Sequence, residues 1–275
     1  MLYGKELADS ETLNSLKALS LNGTDCLLVI WNNGPAQLKA REVDTFEQLG
    51  FDVAICETTE NQSLSKIYNR FIDEFHSDKY VVLDDDSQLN QAYLQAVFQL
   101  TENEIGVPQI FSNHKLTGPK RNRKLCAVGD TVTDADKFFG IGSGLVIGKT
   151  SATRMKDDHG TVFDERFYFY GVDSTFFFRV KMSQISDRLR IISGFEHSLS
   201  KLKKESEPVT EFRLKEMSYD IGLRLRYYKP LVTGFFLVVK ESLSCGLKKL
   251  RNKKPKVLTG HLLKAYFGGK HYRAK

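Results

Sequence analysis

Cysteine is sparse in this chain. Four are spread over 275 residues (Cys26, Cys56, Cys126 and Cys245), and no CxxC pair occurs. That spacing gives neither a zinc site nor a disulfide framework. Cys26 and Cys56 fall in apolar runs and are expected as buried thiols of a reducing compartment. Met1 to Glu11 lacks an apolar h-region, so no secretory signal is expected. The longest apolar run, Leu231 to Val239, is too short to span a bilayer as a helix. Repeats and long low-complexity segments are absent. Phosphate loops fail on spacing: Gly148-Lys149-Thr150 ends like a P-loop, but Ser143 stands where its first Gly belongs. Gly142, Gly144 and Gly148 also miss the GxGxxG pattern.

What remains is a soluble globular composition, 41% hydrophobic and 27% charged, sized for one large domain or one domain with an appendage. The net charge of +6 is uneven. Lys240 to Lys275 carries eleven Lys or Arg and one acid, Glu241, so the rest of the chain has a net charge of −4. A basic tail on an acidic body points to an anionic partner such as phospholipid or nucleic acid.

The chain is organised around Tyr80-Val81-Val82-Leu83-Asp84-Asp85-Asp86-Ser87. A short apolar run reads as a strand buried on both faces. Three adjacent Asp cannot lie unpaired inside it, so the strand ends there. The acids then sit at its carboxyl edge, where open α/β sheets bind ligands. Clustered carboxylates suit Mg²⁺ or Mn²⁺ shared with phosphates. A solvated acidic turn is the plainer alternative.

Strands are expected at Cys26 to Trp31, Phe51 to Cys56, Tyr80 to Leu83 and Ile105 to Ile110. Helices are expected at Glu11 to Leu21, Gln37 to Leu49, Ser63 to Phe75 and Gln91 to Leu100. This alternation predicts a parallel, right-handed α/β sheet over the first 110 residues. The first three strands end at Asn32-Asn33, Glu57 to Asn61 and Asp84 to Asp86, and one ligand across all three would explain their polarity. His114 to Arg123 reads as a basic loop, and Gly140 to Gly144 as a loop that leaves room for a substrate. Leu189 to Ile192 reads as a strand ending near His197, and charged helices follow from Lys201.

Two families compete. Leu83 to Ser87 resembles the DxDx(T/S) nucleophile motif of haloacid-dehalogenase-type phosphatases, and Gly129-Asp130 with Asp134 resembles their GDxxxD motif. Asp84 would then be phosphorylated. That family starts on its nucleophile strand, whereas two β-α units precede this one. The wider resemblance is to family 2 glycosyltransferases of the GT-A fold, of the bacterial rhamnosyltransferase-like kind. It rests on LLVIWNNG (Leu27 to Gly34), on Asn61 and Asn69 with Leu64 between, on VVLDDDS (Val81 to Ser87) as the LDxDS form of the DxD motif, and on FDERFYFYGVDSTFFFRV (Phe163 to Val180). Tyr170 stands there for the usual first Asp, while Val172-Asp173 and Arg179 match. Glu196-His197-Ser198 resembles the HxxG metal site, with Ser200 in place of Gly.

The resemblance implies an α/β GT-A domain over 1–200, with a nucleotide-binding half (24–110) and an acceptor half (111–200), and a basic helical region over 201–275. It implies an inverting, metal-dependent transfer from a dTDP- or UDP-sugar to a lipid-linked glycan, with Mn²⁺ or Mg²⁺ as cofactor. Asp86 and His197 are the metal candidates. Trp31, Asn32, Asn33, Glu57, Asn61, Lys66, Asp84 and Asp85 are the nucleotide-sugar candidates. Gly142, Ser143, Gly144 and Tyr170 are the acceptor candidates. Asp173 is the candidate general base, and its aromatic surroundings would raise its pKa; a helix N-cap is the structural alternative. The aromatic run reads as core and acceptor wall, so nucleic acid is not the expected partner. The tail, with Lys248, Lys249, Arg251, Lys253, Lys254 and Lys256 behind a short apolar stretch, suits attachment to the inner face of the cytoplasmic membrane. A helix packed on the body with a solvated basic end, or a non-enzymatic basic module, are the alternatives.

Overall fold

A computed structural model describes residues 1–39, 43–198, 207–250 and 257–274, with 207–210 and 249–250 described by backbone alone. Ser200, Arg251, Lys253, Lys254 and Lys256, and the Lys249 side chain, lie outside what is described.

The elements in chain order are α1 (Glu11–Leu16), β1 (Cys26–Asn32), α2 (Asp44–Gln48), β2 (Phe51–Glu57), α3 (Leu64–Glu74), β3 (Lys79–Val82), β4 (Ser87–Gln88), α4 (Gln91–Gln99), β5 (Ile105–Ser112), β6 (Lys115–Gly118), β7 (Lys120–Arg121), β8 (Lys124–Leu125), β9 (Phe138–Phe139), β10 (Leu145–Gly148), α5 (Lys149–His159), α6 (Val172–Met182), β11 (Leu189–His197), α7 (Glu207–Tyr227), α8 (Leu231–Leu250) and α9 (Thr259–Gly268). No helix among the described residues is long and apolar enough to cross a membrane.

Chain contacts divide the protein into two units. The first comprises Met1–Gln62, Arg70–Val162 and Arg179–Ser200, and the second Ser63–Asn69, Phe163–Phe178 and Lys201–Lys275. In the first unit, β1 and β2 pair in parallel from Cys26↔Phe51 to Asn32↔Glu57. The main sheet runs β3-β10-β5-β11-β4, with β6 added to β5. Here the expected parallel sheet is corrected. β10 is antiparallel to both β3 and β5 and lies between them, while β5 and β11 are parallel. The inserted strand comes from beyond residue 110, so the early β-α alternation could not contain it. The result is a mixed sheet flanked by helices.

One core joins these layers through Ile30, Phe46, Tyr93, Ile110, Val146 and Phe195. Tyr93 and Phe195 meet edge to face at 4.8 Å, and the Tyr93 hydroxyl donates to the Gly144 carbonyl at 2.8 Å. Cys26 and Cys56 are half-buried, not buried as expected. Cys26 opens β1, and β2 hydrogen-bonds only to β1 among the described residues, so its side chains stay partly open. The expected helix over Gln37 to Leu49 shortens to α2, with 40–42 outside the described residues.

In the second unit, Ser63–Asn69 anchors the aromatic segment. Asn69 Oδ1 accepts from Phe163 N–H at 2.8 Å, and its Nδ2 donates to the Phe163 carbonyl at 2.9 Å. Ser65 Oγ donates to the Phe167 carbonyl at 2.6 Å, and Leu64 N–H to the Tyr168 carbonyl at 2.8 Å. Asn69 is buried and imitates a strand neighbour for one residue. Asn69→Leu removes both bonds together with the one from Asn69 Nδ2 to Glu165 Oε1 at 3.1 Å, all at a buried site, so a loss of about 3 kcal/mol is expected in chemical denaturation. A loss below about 1 kcal/mol would mean that water replaces the amide. A buried Glu216–His271 pair (3.4 Å), with Tyr272 donating to Glu216 at 2.6 Å and Tyr168 stacked on His271 at 4.4 Å, ties the C-terminal segment to the same aromatics.

Candidate functional site

β3 ends at Val82, so the three Asp begin just beyond the strand. Their loop is held from several sides. Ser143 Oγ, buried, accepts from Asp84 N–H at 3.1 Å and lies 2.8 Å from Ser87 Oγ. Thr12 Oγ1 donates to the Asp84 carbonyl at 2.5 Å and accepts from Ser87 N–H at 3.0 Å. Ser10 Oγ donates to the Asp85 carbonyl at 3.2 Å. β11 pairs with β4 so that His197 faces Ser87, which brings the imidazole to the acids from 110 residues away.

The outcome is a three-donor cluster. Asp84, Asp86 and His197 each offer a ligand atom, all within 4.8 Å of one another. His197 Nδ1 lies 3.3 Å from Asp86 Oδ1, and Nε2 lies 3.8 Å from Asp84 Oδ2. Nδ1 is also 3.1 Å from Ser87 Oγ, which orients the ring. Asp85 turns elsewhere and accepts from Lys5 Nζ at 2.8 Å. Burial lowers the Lys5 ammonium, but its bond to Asp85 outweighs this and holds it above the usual lysine value.

Burial pushes the Asp86 carboxyl above the ordinary carboxylate value. His197 opposes this, and the nearby Asp84 and Asp85 charges add to it. Lys5, which pairs with Asp85, also draws the Asp86 carboxyl down, but burial outweighs both cations. Two carboxylates supply hard oxygen donors and the imidazole a borderline nitrogen, a set that fits a divalent cation such as Mn²⁺ or Mg²⁺.

No protein-family model matches the chain, and no curated protein matches it in sequence. Two crystal structures of S. aureus TarS, a glycosyltransferase, are similar in structure. The longer TarS chain superposes with a TM-score of 0.50 at 12% identity, over 82% of this chain and 42% of that one. TarS 1-349 gives a TM-score of 0.50 at 12% identity, over 98% of this chain and 91% of that one. The present chain thus spans less than half of the longer TarS chain. At this identity the likeness is one of fold. The fold is GT-A-like.

Within this GT-A-like fold, the nucleotide candidates at the ends of β1 and β2 form one hydrogen-bonded group. Asn32 Nδ2 donates to Glu57 Oε1 at 3.0 Å, and Glu57 also accepts from Leu38 N–H at 2.8 Å. Asn33 Oδ1 accepts from Thr58 Oγ1 and Gln62 N–H, and its Nδ2 donates to Asn61 Oδ1 at 3.4 Å. Trp31 is buried and donates to Thr58 at 3.0 Å, with the Arg70 guanidinium 5.2 Å above its ring. Lys66 is exposed on α3 in the second unit.

Gly142, Ser143 and Gly144, the acceptor candidates, are all buried. Gly144 has φ +80, and the space a Cβ would need is taken by Phe195 and Pro108, so the room left here is filled by protein. Tyr170, half-buried, packs edge to face on Phe169 at 5.1 Å. Asp173 lies in the first turn of α6, one residue inside its start, which replaces the N-cap alternative. The GDxxxD acids of the phosphatase resemblance do not join the cluster: Asp130 accepts from Ala127 N–H at 3.0 Å and Asp134 from Ser186 N–H at 3.3 Å. Sequence reading missed Lys5, Ser10, Thr12 and the scaffold role of Ser143. Ser10 has a local role, capping α1 by accepting from Leu13 N–H at 3.2 Å, but the contacts all four make with the Asp loop span at least 56 positions and leave no local signal.

Proposed function

We propose that the chain is an inverting, metal-dependent glycosyltransferase of the family 2, rhamnosyltransferase-like kind. It would move a hexose from a UDP- or dTDP-sugar to a lipid-linked glycan on the cytoplasmic side of the membrane, in bacterial surface polysaccharide synthesis (O-antigen or capsule). The Asp84–Asp86–His197 cluster at the carboxyl end of β3, in a GT-A-like fold, is the observation that carries this reading.

A Mn²⁺ or Mg²⁺ ion bound by these three side chains would act as a Lewis acid for the leaving diphosphate. Ser87, Ser143 and Thr12 keep the donors in place before substrate arrives, so little reorganisation is needed. Asp85, fixed by Lys5, would contact the ribose or diphosphate. Trp31, Asn32, Asn33, Glu57 and Asn61 would line the nucleoside side. Asp173 would accept the proton of the acceptor hydroxyl as the new glycosidic bond forms and the bond to diphosphate breaks. One displacement inverts the anomeric carbon without a covalent glycosyl-enzyme.

The test is thermal stabilisation by UDP, dTDP, GDP and CDP, each with and without Mn²⁺. A ligand that binds only the folded state raises its melting temperature, by about 2.7 kcal/mol of stability at 100 times its Kd. One nucleotide giving a metal-dependent rise supports the proposal and names the donor class. Asp173→Asn should keep that rise and lose transfer. Silence towards all four, with a response to Mg²⁺ plus beryllium fluoride, would replace this reading with the phosphatase.

A further inference from the structure

The amphipathic pattern of Leu231–Leu250 forms one continuous helix, α8. Its inner side is accounted for. Val238 and Cys245 are buried, and Cys245 packs with Val257, Leu262 and Ile221. Gly234 lets the helix approach the Leu225 carbonyl, where a Cβ would stand 2.5 Å away. The outer side is not polar. Val232, Phe235, Phe236, Val239, Leu243 and Leu247 are exposed, with Val232 at 68%, Phe236 at 66% and Leu243 at 64%. At 100° per residue these six fall within an arc of roughly 120°. Phe236, Val239, Leu243 and Leu247 edge a shallow groove that Lys240 and Lys248 also line.

Single exposed hydrophobics need no explanation, but a contiguous stripe along a whole helix does. Its charge surroundings choose the occupant. Lys240 to Lys275 carries eleven Lys or Arg against Glu241 alone. A second copy seated face to face would add its own Lys240 and Lys248 to the same seam and offer no carboxylate of the stripe to pair them. An anionic surface would instead pair with them. The stripe is long enough to lie in an interface, and α8 cannot span a bilayer.

We infer that α8 docks flat on an anionic lipid bilayer, with the Val232–Leu247 stripe immersed among the acyl chains and Lys240 and Lys248 at the headgroups. The apolar face, not the basic tail alone, carries the attachment. This depends on α8 and not on sugar transfer, so either idea can fail without the other.

The experiment is co-sedimentation of the full chain with phosphatidylcholine vesicles, with and without phosphatidylglycerol. The wild type should pellet with the phosphatidylglycerol vesicles. Phe236→Ser with Leu243→Ser should weaken that partition by at least about ten-fold. Lys240→Glu with Lys248→Glu should weaken it by about five-fold per charge and remove the preference for phosphatidylglycerol. Phe236, Leu243 and Lys240 are exposed and Lys248 is half-buried, so melting temperatures close to the wild type are expected, and measuring them separates lost docking from lost folding. Equal pelleting of the serine pair, or no pelleting of the wild type, overturns the inference. A wild-type dimer in sedimentation velocity that the serine pair disperses, without vesicle binding, would assign the stripe to a second copy and overturn it as well.

Discussion

On the proposed function, Asp86→Asn is expected to abolish the metal-dependent rise in melting temperature and to lower sugar transfer by about 10²–10³-fold. The same change should leave the metal-free protein slightly more stable at neutral pH. The reason lies in the raised Asp86 carboxyl, where burial is the main cause and Asp84 and Asp85 add to it. The folded state holds this proton more tightly than the unfolded chain does. The corresponding stability is present below the ordinary carboxylate value and is lost as pH rises through the higher folded value. As pH rises the folded wild type must either keep the proton or carry a crowded carboxylate that His197 and Lys5 offset only in part. Asparagine keeps the shape and removes the charge, so the variant gains on the wild type as pH rises. The two proteins should converge once pH falls below the ordinary carboxylate value. Melts across pH, with and without Mn²⁺, read all three effects. His197→Ala should lose the Mn²⁺ response without the gain, because it removes the cluster's opposing group and leaves the acids. An Asp86→Asn variant that still responds to Mn²⁺ would sink the three-donor assignment.

The parts legible in the sequence are those written in contiguous runs. Cys26 to Trp31 and Phe51 to Cys56 match β1 and β2 to within a residue, and Leu231 to Leu250 matches α8. The Tyr80 run ends where three charges cannot be buried, so the acids emerge at the edge of β3. Direction and partnership were not legible. Leu145–Gly148 is four buried residues, and periodicity says nothing of which way they run, yet β10, with β4 and β6 also antiparallel to their neighbours, turns the parallel expectation into a mixed sheet. β11 continues five residues beyond the expected Ile192, because a bulge lets it follow β5 and then reach β4. In the site, three adjacent Asp look equivalent as letters. Lys5 takes Asp85 aside, while Ser143 and Thr12 fix the turn that presents Asp84 and Asp86 to His197. Such choices are made by contacts across the fold, which local composition does not record.

That bulge gives a second large effect. Gly194→Ala should cost about 4 kcal/mol or more and lower the melting temperature by roughly 10 °C. β11 pairs with β5 in register to Ile192↔Pro108 and resumes at Phe195↔Ile110, so Ser193 and Gly194 oppose Gln109 alone. A Cβ on Gly194 would fall on the Gln109 backbone carbonyl itself. Backbone, unlike the end of a flexible side chain, cannot step aside, so the two strands must part. The damage would then reach the site. Asn90 Nδ2 donates to the Gly194 carbonyl at 2.8 Å, and His197 lies three residues further along the same strand. A shift of β11 moves the imidazole away from Ser87 and Asp86, so the Mn²⁺ response should weaken along with stability. A control at Gly246, where an added Cβ meets nothing within 4 Å, should show neither effect. If the Gly194 variant melts within a degree or two of the wild type, β5 and β11 separate cheaply, and His197 is not held by this strand pairing.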